Sequence, residues 1–323
     1  MTTPSAQLPT PASRPEPEAS APLRADSVAD SAGGLTFDIV DLVLPDPADW
    51  NAALVLRLRG GAEGADEVRL PLSPAGERRV RAVLPSTVAL PEGRWDVYVA
   101  VGDERPRRLA PGLNDLRSLV DRRPGPSLSP LAVCIPYTTK HGNLSLRSWL
   151  RAPHAEAGEL RVSDGTLTGR GRLYRVERPV AWLSGAVVRA RLRRDPSVTH
   201  EVPVTADCAD FDFSLAYADL AAHWDGGQDV WDLWLARADE NDEADETDEA
   251  DDGRATSEAA AEAAPAGRQP AARVRIARIL DDVVDKKPVF AYPALSLSTD
   301  RGTVRVTPYY TADNDLSVRV EGA

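Results

Sequence analysis

Tyr137, Lys140, His141 and Asn143 stand close together, offering a phenol, an ammonium, an imidazole and an amide at one short turn. Groups of this kind hydrogen-bond sugar hydroxyls, and an aromatic ring beside them gives a sugar a face to stack on. Seven tryptophans against four phenylalanines add to that reading, because flat indoles stack on sugars in the same way. Trp50, Trp149, Trp182 and Trp224 fall near turns, whereas Trp95 and Trp231 lie inside alternating apolar stretches and read as core. With Tyr309, which answers Tyr137 in a second copy of the stretch, the candidate ligand surface is Tyr137, Lys140, His141, Asn143, Trp149, Trp182, Trp224 and Tyr309. Structure competes for all of them. Turn formation accounts for the whole stretch, core filling accounts for the tryptophans, and these take precedence over binding.

Catalytic chemistry has less to work with. The chain holds no Gly-x-x-x-x-Gly-Lys phosphate loop, no Gly-x-Gly-x-x-Gly, no Gly-x-Ser-x-Gly elbow and no His-Glu-x-x-His. Its histidines, His141, His154, His200 and His223, are scattered without metal-ligand spacing. Asp210-Phe211-Asp212 has the form of a carboxylate pair that holds a nucleotide-sugar metal, but it lies in an alternating strand rather than after a parallel α/β core. Cys134 and Cys208 cannot build a disulfide framework or a four-thiolate site and read as small buried hydrophobes. No catalytic residue, metal ligand or cofactor is therefore expected.

What must position the turn is a hairpin. Ile135 to Arg147 returns without a gap as Thr307 to Arg319; in each, Pro-Tyr-x-Thr leads into a polar loop and Leu-Ser-x-Arg leads out. Gly142 and Asn143, answered by Asn314 and Asp315, are turn formers, and Pro136 and Pro308 suit an edge strand because they lack an N–H. Two further blocks repeat in the same order: Trp95 to Ala100 with Trp231 to Ala236, and Asp121 to Pro124 with Asp285 to Pro288. A repeat on this scale predicts two copies of a whole domain. Short alternating stretches such as Arg79 to Leu84 and Phe211 to Leu215, bounded by Gly, Pro, Asp or Asn, predict antiparallel strands; the fold class expected is all-β, two tandem immunoglobulin-like sandwiches. Tyr217 to His223 is the best helical candidate. One comparison predicts packing between the units: Val133 and Ile135 stand where the second copy has Arg305 and Thr307, so the last strand of the first unit should be covered on both faces.

The expected organisation is a disordered Pro- and Ala-rich leader over 1–34, a sandwich over 35–152, and a second sandwich over 153–323 with a disordered acidic insertion at 238–272. Ten acidic residues between Asp239 and Asp252 account for all but two units of the net charge of −12. The remainder is nearly neutral, which argues against a nucleic-acid partner. The acidic run lacks the spacing of a calcium loop. No apolar stretch approaches the length that spans a bilayer and no secretory signal is evident, so a cytoplasmic location without a membrane span is expected.

The repeated hairpin, Pro136 to Arg147 and Pro308 to Arg319, resembles the β-sandwich segments that accompany glycosyltransferases and glycerophosphotransferases of bacterial wall-polymer (teichoic-acid type) synthesis. In such proteins the catalytic residues belong to a separate α/β domain that nothing here matches. The resemblance implies an accessory role: binding a glycan polymer or a partner glycosyltransferase, or holding subunits together as an oligomer. Two rivals stay open, a transferase with its site between the units and a purely structural interaction module.

Overall fold

The computed structural model describes residues 22–42, 51–61, 66–76, 78–120, 122–237 and 273–323. The acidic insertion expected at 238–272 lies outside them, as do the first 21 residues of the expected leader. The rest of that leader needs correcting. Arg24–Ala29 is a strand, β1, with Ala25, Ser27 and Ala29 buried. Its inward side chains are alanine and serine, too small and polar to register as apolar alternation, and the strand is held by ladders to both neighbours.

The first half continues with β2 (Leu35–Val40), β3 (Ala52–Leu58), β4 (Glu67–Pro71), β5 (Ser73–Pro74), β6 (Arg79–Leu84), β7 (Gly93–Val101), β8 (Arg107–Arg108), β9 (Ala110–Asp115), β10 (Leu131–Thr138) and β11 (Leu144–Arg151). Two sheets result, ordered β5-β6-β2-β1-β9 and β10-β11-β7-β3-β4. Alternation explains how they close on each other: β6 turns Val80, Ala82 and Leu84 inward and leaves Arg79, Arg81 and Val83 outside. Phe37 and Ile39 from one sheet meet Leu54, Leu56, Trp95 and Leu146 from the other in one core.

The second half holds β12 (His154–Ser163), β13 (Thr166–Tyr174), β14 (Ala186–Leu192), β15 (Thr199–Pro203), β16 (Thr205–Asp207), β17 (Asp210–Ala216), β18 (Gln228–Arg237), β19 (Arg273–Ala277), β20 (Leu295–Thr299), β21 (Gly302–Tyr310) and β22 (Leu316–Gly322). The pairing β16-β17-β13-β12 follows the order of β5-β6-β2-β1, and β21-β22-β18-β14-β15 follows that of β10-β11-β7-β3-β4. Even the rarer parallel contact recurs, β9 on β1 in one half and β19 on β12 in the other. Tyr217–Ala221 is a short helix, as is Pro179–Leu183. Cys134 is buried as expected, and burial pushes its thiol up to about 11. Cys208 is exposed, because it occupies a turn at φ 57° rather than a strand.

The repeated hairpins have one geometry. Thr139 N–H donates to Asn143 O (2.9 Å) and Gly142 N–H to Thr139 O (2.9 Å); Thr311 to Asp315 (2.8 Å) and Asn314 to Thr311 (3.1 Å) repeat the pattern. Gly142 and Asn314 sit at φ 74° and 64°, the left-handed region that these two residue types enter most cheaply. Pro136 lies on an edge strand, and Pro308 lies beyond Val306, where the β20 ladder ends.

Val133 and Ile135 are both buried, at 2% and 0% exposure. Opposite them on β11 stand Trp149 and Arg147, so these four side chains share one face. Onto that face the second half lowers its hairpin tip. Arg147 pairs with Asp313, Arg151 pairs with Asp315 (2.8 Å) as well as with Glu92 (2.9 Å), and Trp149 Nε1 donates to the Asp313 carbonyl (3.2 Å). Ile279 and Leu280, from the segment after β19, join the first half's core.

Candidate functional site

Beside this joint opens a cleft of about 730 Å³. Its walls are Arg59, just past β3; Arg94 and Asp96 at the start of β7; Arg108 of β8; the hairpin from Tyr137 to Asn143; Arg147 of β11; and Val284, Asp285 and Ala312 from the second half. The far wall is fixed by Asn314, fully buried, whose Oδ1 accepts from Lys286 N (3.2 Å) and whose Nδ2 donates to Val284 O (3.2 Å). Lys286 is itself fully buried, its Nζ held by Asp281 and the Val283 carbonyl.

Asp96 is the clamp at the base. One of its oxygens accepts from Arg59 Nε (2.8 Å) and from Ser145 Oγ (2.9 Å), with Arg108 Nη2 at 3.3 Å. Ser145 Oγ in turn accepts from Arg59 (3.0 Å) and Arg108 (3.2 Å). The Tyr98 ring lies 4.9 Å from the Arg108 guanidinium. Burial works against the charge on Arg59, yet the bond to Asp96 together with the charge interactions of Tyr137, Asp96 and Tyr98 outweighs it and raises the arginine's pKa. Above this closed unit the cations are free: Arg94, Lys140 and His141 are exposed and have no ion-pair or side-chain hydrogen-bond partner among the described residues. Arg147 is 9% exposed, and burial draws its guanidinium below the ordinary value despite Asp313 and Glu92. Its Nε is buried without a partner.

Of the residues singled out from sequence, the cleft brings together Tyr137, Lys140, His141 and Asn143. The others are elsewhere. Trp149, Trp182 and Trp224 are 0%, 3% and 8% exposed, so their ring faces are filled by protein and have no room for a sugar. Tyr309 is half-buried in the second half beneath Arg319 (5.4 Å). Asp210 and Asp212 face outward, paired with Arg172 and Arg170 across β13. Arg59, Arg94, Asp96, Arg108 and Arg147 were not anticipated. Three signals pointed toward them: Asp96 follows the repeated tryptophan, Ser145 and Arg147 belong to the repeated Leu-Ser-x-Arg, and each has a second-half counterpart.

No protein-family model and no curated protein matches this chain. Among solved structures, S. aureus TarS aligns at 15% identity and TM-score 0.29, over 60% of this chain and 35% of that one. A TarS fragment, residues 217–571, aligns at 13% and 0.28, over 60% and 56%. The chicken CNTN1 FN1–FN3 domains align at 9% and 0.17, over 67% and 58%. This chain thus spans about a third to just over half of those structures, at similarities that bring no argument about activity. No helix among the described residues is long and apolar enough to cross a membrane.

Proposed function

We propose that this chain is a non-catalytic accessory protein of surface-glycopolymer assembly, built from two copies of an immunoglobulin-like sandwich, and that its cleft binds the polymer. The carrying observation is the convergence of Tyr137, Lys140, His141 and Asn143 on one open cleft beside a rigid base. A binding surface wants unpartnered polar groups on a stiff scaffold, and the hairpin supplies both. The carboxylate at the base of the cleft is engaged in structure: Asp96 is occupied by two arginines and a serine, so it is not free for general acid–base work, and His141 is the imidazole that a catalytic reading would have to use. Shared strand order in the two halves supports common descent, with sandwiches over about 22–152 and 153–323.

The test is direct binding of the full chain to a purified acidic surface glycopolymer and to a neutral polysaccharide, followed by calorimetry. Retention of the surface polymer, weakened about tenfold or more in a Tyr137→Ala, Lys140→Ala variant that melts like the parent, is the expected result. Failure to bind either polymer, or release of a leaving group from an activated sugar or polyol donor, overturns it.

A further inference from the structure

The cleft concentrates positive charge. Outside the acidic run the chain is nearly neutral, yet the cleft walls carry five arginine and lysine side chains against two aspartates. Asp96 engages Arg59 and Arg108 with one charge against their two, and Arg147 is met by Asp313, so even with Asp285 in the wall the cleft keeps an excess of positive charge centred on Arg94 and Lys140, with His141 beside them. Convergent cations in a concave, partly desolvated wall attract an oxyanion, and a neutral sugar gives no reason for them.

Arg147 adds a second, independent observation. Nε and Nη2 of an arginine form one fork that grips two oxygens of a carboxylate or phosphate. Here Asp313, from the second half, engages Nη2 with one oxygen, while Nε is buried and bonded to nothing. The fork is half filled by a carboxylate of the protein itself. Leaving a charged donor without an acceptor leaves its desolvation cost uncompensated, so a ligand that fills both prongs gains what the internal contact forgoes.

Resting on the reading of the cleft as a binding site, we propose that it seats an oxyanion of the phosphate type at Arg94, Lys140 and Arg147, in competition with Asp313. Occupancy of the cleft and docking of the second half's hairpin tip are then linked. Whatever binds at the fork loosens the Arg147–Asp313 contact, and loss of that contact strengthens binding by the same factor. Arg151 with Asp315, and Trp149 with the Asp313 carbonyl, keep the halves together when Asp313 lets go.

Titration of the full chain at constant ionic strength with inorganic phosphate, glucose 6-phosphate and glucose tests this. Asp313→Asn should bind both phosphates about threefold to tenfold more tightly than the parent. Asp300→Asn removes the same charge at the far end of β21 and should leave affinity unchanged, which separates competition from bulk electrostatics. An Arg94→Ala, Lys140→Ala variant should bind both phosphates at least fivefold more weakly while keeping the parent's melting temperature. Preference for the sugar phosphate over inorganic phosphate assigns the source as a phosphorylated glycan; equal binding assigns a free-anion site. Equal affinities for Asp313→Asn, Asp300→Asn and the parent overturn the competition, as does retention of phosphate by the double variant. If the surface polymer binds while neither phosphate does, this proposal fails and the accessory reading stands; if nothing binds, both fail.

Discussion

Asp96 and Asp232 stand at the centres of two clusters built alike. Arg59, Arg108 and Ser145 hold the first; Arg193 (2.7 Å), Arg275 (3.2 Å) and Ser317 (2.8 Å) hold the second, and an aromatic ring, Tyr98 or Trp234, underlies each. The surroundings differ. Arg94, Lys140 and His141 of the first half are replaced by Val230, Ala312 and Asp313 in the second. A half-buried carboxylate shared by two guanidiniums and a hydroxyl is thus a component of the sheet, because it occurs whether or not free cations surround it. On the proposed reading of the cleft as a binding site, the free cations of the first half are what that shared component lacks in the second. The joint differs in the same manner: Val133, Ile135 and Trp149 of the covered face correspond to Arg305, Thr307 and Glu321 of the open one, where Arg305 and Glu321 pair at 3.1 Å near the surface.

The most forceful way to break this comparison is to truncate the same sheet position in each half. Trp149→Ala removes a fully buried indole from between the halves and should cost about 3 to 5 kcal/mol. Glu321→Ala removes a partly exposed member of a surface pair and should stay within about 0.5 kcal/mol. Denaturant unfolding of the two variants measures both. Similar losses would mean that the open face is covered in solution, or that the joint bears little of the stability.

Much of the frame was legible in the sequence because it depends on period. Val80, Ala82 and Leu84, or Phe211, Phe213 and Leu215, alternate with charged or polar residues over a length that only a half-buried strand explains. β1 was missed for the same reason, its inward residues being Ala25, Ser27 and Ala29. The site was half legible. Tyr137 to Asn143 advertise themselves by type, whereas Arg94, Arg108 and Arg147 look like the outward members of alternating strands and acquire meaning only when β7, β8 and β11 lie side by side. Trp182 and Trp224 misled, since nearness to a turn does not show which way an indole faces; both pack into the second core.

A gentler probe measures the electrostatic load on the second half's clamp. Burial pushes the Asp232 carboxyl up, but the bond from Arg193, the charges of Arg275 and Arg193, and the Ser317 hydroxyl together hold its pKa below the ordinary carboxylate value. A carboxylate whose pKa is depressed by folding adds stability that is fully present above its unfolded value, about 3.9, and drains away as pH falls through the lower folded value. Stability of the parent should therefore decline below about pH 4 more steeply than that of Asp232→Asn, which forgoes the contribution at neutral pH. Parallel declines for the two proteins would show that Asp232 is not among the groups driving acid unfolding.

The smallest expected effect lies at the hairpin tips. Gly142, at φ 74°, and Asn314, at φ 64°, occupy one backbone state with different side chains. A β-carbon at Gly142 would meet nothing within 4 Å, so Gly142→Ala isolates backbone strain and should cost about 1 kcal/mol. Gly142→Asn copies the second half's solution and should cost only a few tenths, since asparagine enters this region more readily than alanine. Alanine no worse than asparagine would mean that the first tip relaxes out of the left-handed state when given a side chain. The tip carrying Lys140 and His141 would then be looser than the tip that docks Asp313, and the proposed oxyanion would be met by a moving arm instead of a fixed wall.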